Sequence, residues 1–352
     1  MSIMDFSMDR RKFLAATGGI LAGAGAKGLT TKARAAVPEL PGPFGEVSHL
    51  GWVVKDLNAT VDYWEKIGMG KVSIRPEQEF ENTTFRGKPA ELTVRWGWAQ
   101  LGRVGLELFE PLKGYSAYDE YLEKHGEGIQ HVAFAQTSPE QLEQRVAALK
   151  KMGVDVLMRG TFNNGEGIFV YMDTEPVGGV VFELVYDPNY VKNLGKPDPA
   201  PPEGQLPPFG KISQYAICTF DVDRVCDFYH RLGFPDNGID RDNKGFFRRY
   251  RGKELDWRMH MGWSKLGSTQ LEILQPTREY SLYSEFLEKH GEGFNHFAFY
   301  VDDMDQTLAA LKERGVEIAM DGAWGHDKVD GRFAYSDTDA HGGLTFELLW
   351  DA

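Results

Sequence analysis

The sequence predicts an α+β fold made of four βαβββ modules, which form two similar halves with curled mixed sheets. A strand–helix–strands pattern occurs four times along the chain, with short strands that are mostly joined by hairpins. The chain also repeats itself at an offset of 165 residues, because Leu122–Gly128 recurs unchanged as Leu287–Gly293. Two halves of the same fold are therefore expected.

The repeat extends well beyond this heptapeptide, as the same offset aligns Arg86-Gly87 with Arg251-Gly252. Between the two copies, residues 188–208 contain seven of the 17 prolines, a composition typical of an extended connector. We therefore predict a first domain over residues 45–187, a linker over 188–209 and a second domain over 210–352.

The first module begins with the β-branched and apolar segment Val47–Val54, which predicts a strand. Leu57, Val61 and Trp64 then recur at helical spacing, and Gly68 provides a stop. In the second module, Ser138-Pro139 has the form of a capped helix start. The remaining strands of the first half are expected at Glu91–Trp98, Val104–Phe109, His131–Ala135, Ile168–Asp173 and Val180–Tyr186.

Composition excludes several classes of protein. The 352 residues are 42% hydrophobic and 26% charged, as in an ordinary globular protein with about two domains. A net charge of −13 argues against nucleic acid as a partner. The two cysteines are too few for a disulfide scaffold or a thiolate zinc site, and no apolar run is long enough to span a membrane.

The N-terminus reads as a targeting signal. Arg10-Arg11 precedes a short Gly/Ala-rich run and the small-x-small sequence Ala33-Arg34-Ala35, so residues 1–35 look like a twin-arginine signal peptide. We therefore expect export by the twin-arginine machinery and a periplasmic or secreted location. Removal of six basic and two acidic residues would change the net charge from −13 to −17.

Four polar residues of the first half lie in predicted strands whose inward faces are otherwise apolar. Because alternate side chains of a strand point to one face, one residue per strand can be directed at a common point in a curled sheet. These residues are His49, Glu107, His131 and Glu183. Two carboxylates and two imidazoles suit a divalent ion such as Zn, Fe, Ni, Co or Mn.

The second half offers Gln214, Glu272, His296 and Glu347 at the matching positions. Conservation of residue type between two otherwise divergent halves favours a shared metal-binding role, so up to two metal ions per chain are expected. Gln214 is a neutral and weaker oxygen donor than the imidazole of His49. The second site is thus expected to bind less tightly, to prefer another metal or to be degenerate.

From Gly45 to Asp351 the layout resembles the vicinal oxygen chelate family, which includes glyoxalase I, methylmalonyl-CoA epimerase, extradiol dioxygenases and metal-free bleomycin-binding proteins. The segment from Tyr121 to Phe134 and its twin around His296 are most similar to the epimerase branch. The first ligand set resembles that of bacterial glyoxalase I, and the Gln214 set resembles that of its eukaryotic relatives.

This resemblance implies two glyoxalase-like halves and a metal-dependent isomerase, epimerase or lyase. The substrate would be a small molecule with vicinal oxygens, chelated through a carbonyl beside the carbon that loses its proton. By resemblance the base is Glu183 in the first half and Glu347 in the second, with Glu107 and Glu272 as their proton partners.

Other interpretations stay open at this point. His49, His131 and Glu183 alone would form the two-His-one-carboxylate set of a non-haem Fe(II) dioxygenase, although Glu107 argues against it. A metal-free small-molecule-binding module is a further alternative. The modules also pair either consecutively within a half or across the halves, and the chain acts either as a pseudo-dimeric monomer or as a homodimer.

Overall fold

A computed structural model of the protein describes residues 44–193, 196–243, 247–325 and 328–352. The signal predicted for residues 1–35 lies outside the described residues, so export stays a prediction. Across the described ranges the chain forms two ten-stranded sheets and eight helices, which confirms the α+β class. Among those helices, none has the length and apolarity needed to cross a membrane.

The first half contains β1 to β10 and α1 to α5. Its strands are β1 Val47–Val53, β2 Ser73–Glu79, β3 Glu81–Phe85, β4 Lys88–Pro89, β5 Thr93–Leu101, β6 Val104–Lys113, β7 Gly128–Ala135, β8 Val156–Phe162, β9 Gly167–Met172 and β10 Val181–Tyr186. Its helices are α1 Leu57–Lys66, α2 Ala117–His125, α3 Pro139–Lys151, α4 Glu175–Gly178 and α5 Pro188–Val191, the last of which opens the predicted linker.

The second half repeats this arrangement with β11 to β20 and α6 to α8. Its strands are β11 Gln214–Cys218, β12 Ile239–Asn243, β13 Arg248–Tyr250, β14 Lys253–Glu254, β15 Arg258–Leu266, β16 Thr269–Arg278, β17 Gly293–Tyr300, β18 Ile318–Trp324, β19 Gly331–Ser336 and β20 Thr345–Asp351. Its helices are α6 Val222–Arg231, α7 Leu282–His290 and α8 Met304–Glu313.

Consecutive modules pair within one half. The first sheet has the order β2-β5-β6-β1-β7-β10-β9-β8-β3-β4, and the second sheet has the equivalent order. The first strands of the two modules, β1 and β7, lie side by side and antiparallel. Each half therefore forms its own cup from two modules, and the swapped pairing does not occur.

The first module of each half is longer than predicted, because it contains an additional short hairpin. In the first half this hairpin is β3–β4, and it pairs with β8 at the far end of the sheet. Arg86 and Gly87 form its turn with φ values of 47° and 74°, the left-handed geometry that a two-residue hairpin turn requires. The repeated Arg-Gly pair of the sequence is therefore a turn.

The repeated heptapeptide ends a helix that the sequence did not predict. Ser116 caps α2 through a capping box with Asp119, and Gly126 ends the helix with a φ of 76°. The predicted helix start at Ser138 is confirmed, because its side chain accepts a hydrogen bond from the Gln141 amide.

The two halves share one hydrophobic core. Phe44 stacks on Phe234 with ring centroids 5.0 Å apart and also contacts Phe134. The first helix of each half packs on the segment before the last strand of the other half. The hydrogen bonds of these reciprocal contacts run from Trp52 to Gly342, from Trp64 to His341, from Arg224 to Pro176 and from Tyr229 to Gly178.

His125 and His290 hold the halves together at the pseudo-two-fold axis. Each Nδ1 donates to the backbone oxygen of the other histidine. The Nε2 atom of His125 lies 3.0 Å from Glu175, and that of His290 lies 2.8 Å from Asp339. In the His290 ring both nitrogens face an acceptor, so both hydrogen bonds are made only by the doubly protonated, positively charged imidazole.

This contact predicts a pH-dependent stability. Burial lowers the pKa of His290, but the carboxylate of Asp339 outweighs burial and raises that pKa above the ordinary 6.5. The contribution is complete below about pH 6.5 and is lost as the pH rises through the raised pKa. The free energy of unfolding, measured with denaturant, should therefore fall as the pH rises above about 6.5. Asp339→Asn should reduce that fall, and an unchanged slope in this variant would contradict the assignment.

Candidate metal centre

The first half brings together all four of its predicted ligand residues. His49 on β1, Glu107 on β6, His131 on β7 and Glu183 on β10 come from four adjacent strands at the centre of the sheet. Alternation along each strand places the four side chains on the concave face. Gly51 makes room for them, since a Cβ atom there would lie 1.7 Å from the His131 ring.

Their donor atoms converge on one point. The Nε2 atom of His49 lies 2.7 Å from Glu183 Oε2 and 3.2 Å from Glu107 Oε2. The Nε2 atom of His131 lies 3.3 Å from the same Glu183 oxygen. One ligand atom from each of the four residues lies within 4.8 Å of the others, as a bound ion requires.

In both imidazoles Nδ1 contacts a neighbouring polar side chain, so that Nε2 faces the cluster. Gln130 Oε1 lies 2.7 Å from His131 Nδ1, which therefore carries the proton and leaves Nε2 as an electron-pair donor. That Nε2 atom is buried and has no hydrogen-bond partner. Ser48 Oγ lies 3.3 Å from His49 Nδ1 and donates to the Ala133 carbonyl. A buried electron pair without a donor fits a metal ion.

The charges of the group also fit a cation. Burial lowers the pKa of His49, but Glu183 and Glu107 outweigh it and raise that pKa. Burial and the negative charge of Glu183 raise the pKa of Glu107. The two imidazoles keep the pKa of Glu183 low in spite of its burial. Two buried carboxylates beside a protonated imidazole leave a net negative charge, which a divalent ion in place of the proton would neutralise.

The first site is partly exposed to solvent at Glu107. The side chain of Glu107 is 19% exposed, whereas that of Glu183 is 4% exposed. Next to Glu107 the indole of Trp98 lies over Gly105, where a Cβ atom would come within 2.2 Å of the ring. The same indole is 5.9 Å from the His49 ring and forms a wall of the opening.

The second site has the same plan but is closed. Gln214 donates to Glu347 at 2.7 Å, and His296 Nε2 lies 3.5 Å from Glu347. Glu272 lies within 4.8 Å of both His296 and Glu347. Gln214, Glu272, His296 and Glu347 are each at most 2% exposed. Gln270 is paired with Gln214 where Gly105 is paired with His49, so the two sites differ at this position.

Two groups of residues at the sites were not found from the sequence. Asn295 repeats the role of Gln130, because its Oδ1 lies 2.8 Å from His296 Nδ1. An amide directly before the histidine in both copies was the available signal. Each cup also has a tyrosine pair with hydroxyls 2.7 Å apart, Tyr118–Tyr171 and Tyr283–Tyr335. Burial keeps the pKa of all four phenols well above 10, so they stay neutral beside the carboxylates.

The family model of the glyoxalase/bleomycin resistance protein/dioxygenase superfamily matches residues 48–172 and 213–335. The uncharacterised protein YqjC of Bacillus subtilis is 31% identical over 61 residues, which cover 17% of this chain and 44% of that protein. The match thus spans less than half the length of this curated relative.

Two solved structures match parts or most of the chain. A mutant of 4-hydroxymandelate synthase from Streptomyces coelicolor matches with a TM-score of 0.54 and 17% identity, over 88% of this chain and 93% of that chain. Methylmalonyl-CoA epimerase from Mycobacterium tuberculosis matches with a TM-score of 0.31 and 21% identity, over 40% of this chain and 87% of that chain. At this identity the synthase shows the fold alone, and the weaker match supports no argument.

Gln130 contacts His131 in the first site and Asn295 contacts His296 in the second, so substitution of each should lower metal affinity at one site only. Gln130→Leu removes the acceptor that fixes the His131 tautomer, so metal affinity at the first site should fall about 10- to 100-fold. Asn295→Leu should weaken only the second site. Competition with a fluorescent chelator measures both affinities. Equal loss from both sites in either single variant would contradict two independent centres.

Proposed function

The chain belongs to the glyoxalase/bleomycin resistance protein/dioxygenase superfamily, and we propose that it is a metal-dependent enzyme whose first half transfers a proton next to a carbonyl group. The observation that carries this proposal is the convergence of His49, Glu107, His131 and Glu183 around one point with an unpartnered buried Nε2. The substrate would be a small molecule with vicinal oxygens, and the reaction an isomerisation, epimerisation or elimination.

The four residues would hold the divalent ion between two imidazole nitrogens and two carboxylate oxygens. When bound, such an ion supplies a Lewis acid that withdraws electrons from a carbonyl oxygen and acidifies the neighbouring C–H. Zn, Fe, Ni, Co and Mn all accept this donor set.

Glu107 is the better placed of the two carboxylates to move a proton. Its side chain is 19% exposed at the open side, where a substrate enters, and it contacts one imidazole. Glu183 is 4% exposed and is in contact with His49 Nε2 at 2.7 Å, so it has less freedom to reach a substrate. We therefore assign proton transfer to Glu107 and a fixed ligand role to Glu183, which reverses the order implied by the family resemblance.

The first half is the better candidate for turnover. Its ligand Glu107 has a side chain that is 19% exposed, beside the indole of Trp98. Glu272 and Glu347 are at most 2% exposed and so cannot meet a substrate without movement of the surrounding chain. We propose that the second site binds metal in a closed environment.

A non-haem iron dioxygenase is the second candidate, and one feature favours it. Glu183 contacts both imidazoles, at 2.7 and 3.3 Å, whereas Glu107 contacts only His49. His49, His131 and Glu183 thus form the tighter subset, which is the two-His-one-carboxylate set of such enzymes. A binding module without metal explains neither the repeated ligand set nor the buried Nε2.

Exchange of carbon-bound hydrogen tests the proposal. Metal-loaded protein in D2O should introduce deuterium next to the carbonyl in members of a panel of α-hydroxy ketones and α-keto acids, as followed by proton NMR. Glu107→Gln should slow this exchange by at least about 100-fold, because the amide is not a base. Glu272→Gln should leave the rate unchanged.

A second variant checks the entry side. Gly105→Gln would displace the Trp98 indole from its place beside His49, so exchange should fall although all four ligand residues are retained. Oxygen consumption without deuterium exchange would instead identify the dioxygenase. Full exchange in Glu107→Gln would contradict the role assigned to Glu107.

A further inference from the structure

The interior of the second cup contains a buried arginine. Arg248 lies on β13 opposite Gly322, which in turn pairs with Phe333 of β19. A Cβ atom at Gly322 would lie 2.4 Å from the Phe333 ring, so this register position faces the apolar inside of the cup. Arg248 is 6% exposed.

Among the side chains that the structure describes, the guanidinium group is held by neutral groups only. It stacks 4.2 Å above the ring of Trp257 and donates from Nη1 to the carbonyls of Trp257 and Asn243. Its Nη2 donates to Asn243 Oδ1 at 2.5 Å. Within the part of the chain that the structure describes, no carboxylate pairs with it. The nearby Asp256 instead pairs with Arg258 and Arg278.

Two N–H donors of this stacked pair are unused. Arg248 Nε and Trp257 Nε1 are both buried and have no hydrogen-bond partner. A buried donor without an acceptor and a buried charge without a counterion are each costly, and native structures rarely keep them without a reason. Both costs disappear if one acceptor that carries a negative charge binds beside the pair.

The stacked pair of Arg248 and Trp257 is not required to form the cup, because the first half lacks it. The amide of Leu255 donates to Arg248 O in the second half, as the amide of Ala90 donates to Thr83 O in the first. Thr83 therefore occupies the position of Arg248, and by the same offset Leu92 occupies that of Trp257. The first half builds the same cup with a small neutral residue and an apolar residue, so the charge belongs to a property of the second half alone.

The rest of this interior is apolar and adaptable. Met259, Met261, Met320 and Phe333 are buried in the same cluster as Trp257. Methionine side chains adjust their shape to a ligand more readily than branched residues do. A molecule that enters this closed cup must displace these side chains, which methionine allows. They would then contact its apolar body, and the arginine would contact a single negative charge at one end.

We propose that the second cup binds a small monocarboxylate with an alkyl or aryl body, whose carboxylate accepts hydrogen bonds from Arg248 Nε and Trp257 Nε1. This site is separate from the metal centre of the first half and does not require its activity.

Equilibrium dialysis of the full-length protein tests this site, with acetate, hexanoate, phenylacetate, the neutral phenylacetamide and inorganic sulfate as probes. Hexanoate or phenylacetate should bind at about one molecule per chain, and at least about 10-fold more tightly than phenylacetamide. Arg248→Thr, which introduces the first-half residue, should weaken binding at least about 10-fold. Arg249→Thr is the matched control, since that neighbour pairs with Asp321 on the exposed side, and should bind normally.

Trp257→Phe keeps an aromatic ring but removes the free N–H, so it should also weaken carboxylate binding. It replaces Arg248→Thr in the test if that variant does not fold. Glu107→Gln should bind the carboxylate as the wild type does, which separates this proposal from the proposed function. Absence of carboxylate binding, equal binding of phenylacetamide, preference for sulfate, or full binding in Arg248→Thr or Trp257→Phe would each overturn it.

Discussion

The constraint on which the structure depends is the cost of placing two carboxylates inside an apolar sheet. A buried charge is retained only when it is paired or coordinated, and in the first half Glu107 and Glu183 are opposed by the imidazole of His49. The curled sheet makes this arrangement possible, because its central strands each contribute one inward side chain to the same point. The second half uses the same frame, with Gln214 in place of the histidine.

Duplication gave two cups with different properties. The first has Gly105 beside its ligands and a Glu107 side chain that is 19% exposed, whereas the second has Gln270 at the position of Gly105 and ligands that are at most 2% exposed. The second cup also has Arg248 stacked on Trp257. The outer faces that join the halves have kept their reciprocal contacts, including those of His125 and His290. The two cups therefore differ at individual inward positions, and the shared core has preserved the pseudo-two-fold arrangement.

Much of this could be predicted from the sequence. The repeat, the period-two alternation and one polar residue per apolar strand led to the four residues that the first half brings together, such as His49 and Glu183. The β3–β4 hairpin was missed because its strands are short and polar and gain their stability by pairing with β8, which is distant in sequence. Gln130 was missed because a single amide beside a histidine has no periodic signal. The position of Arg248 inside the cup depends on the sheet register, which alternation alone does not fix for a three-residue strand.

The central claim is that each half forms a metal centre from its own four strands. Metal content per chain, measured by elemental mass spectrometry on protein purified without chelators or nickel columns, tests it most directly. The account predicts about two ions per chain, with one lost in Glu183→Ala and the other lost in Glu347→Ala. A content near zero in the wild type, even after incubation with divalent metals, would contradict it.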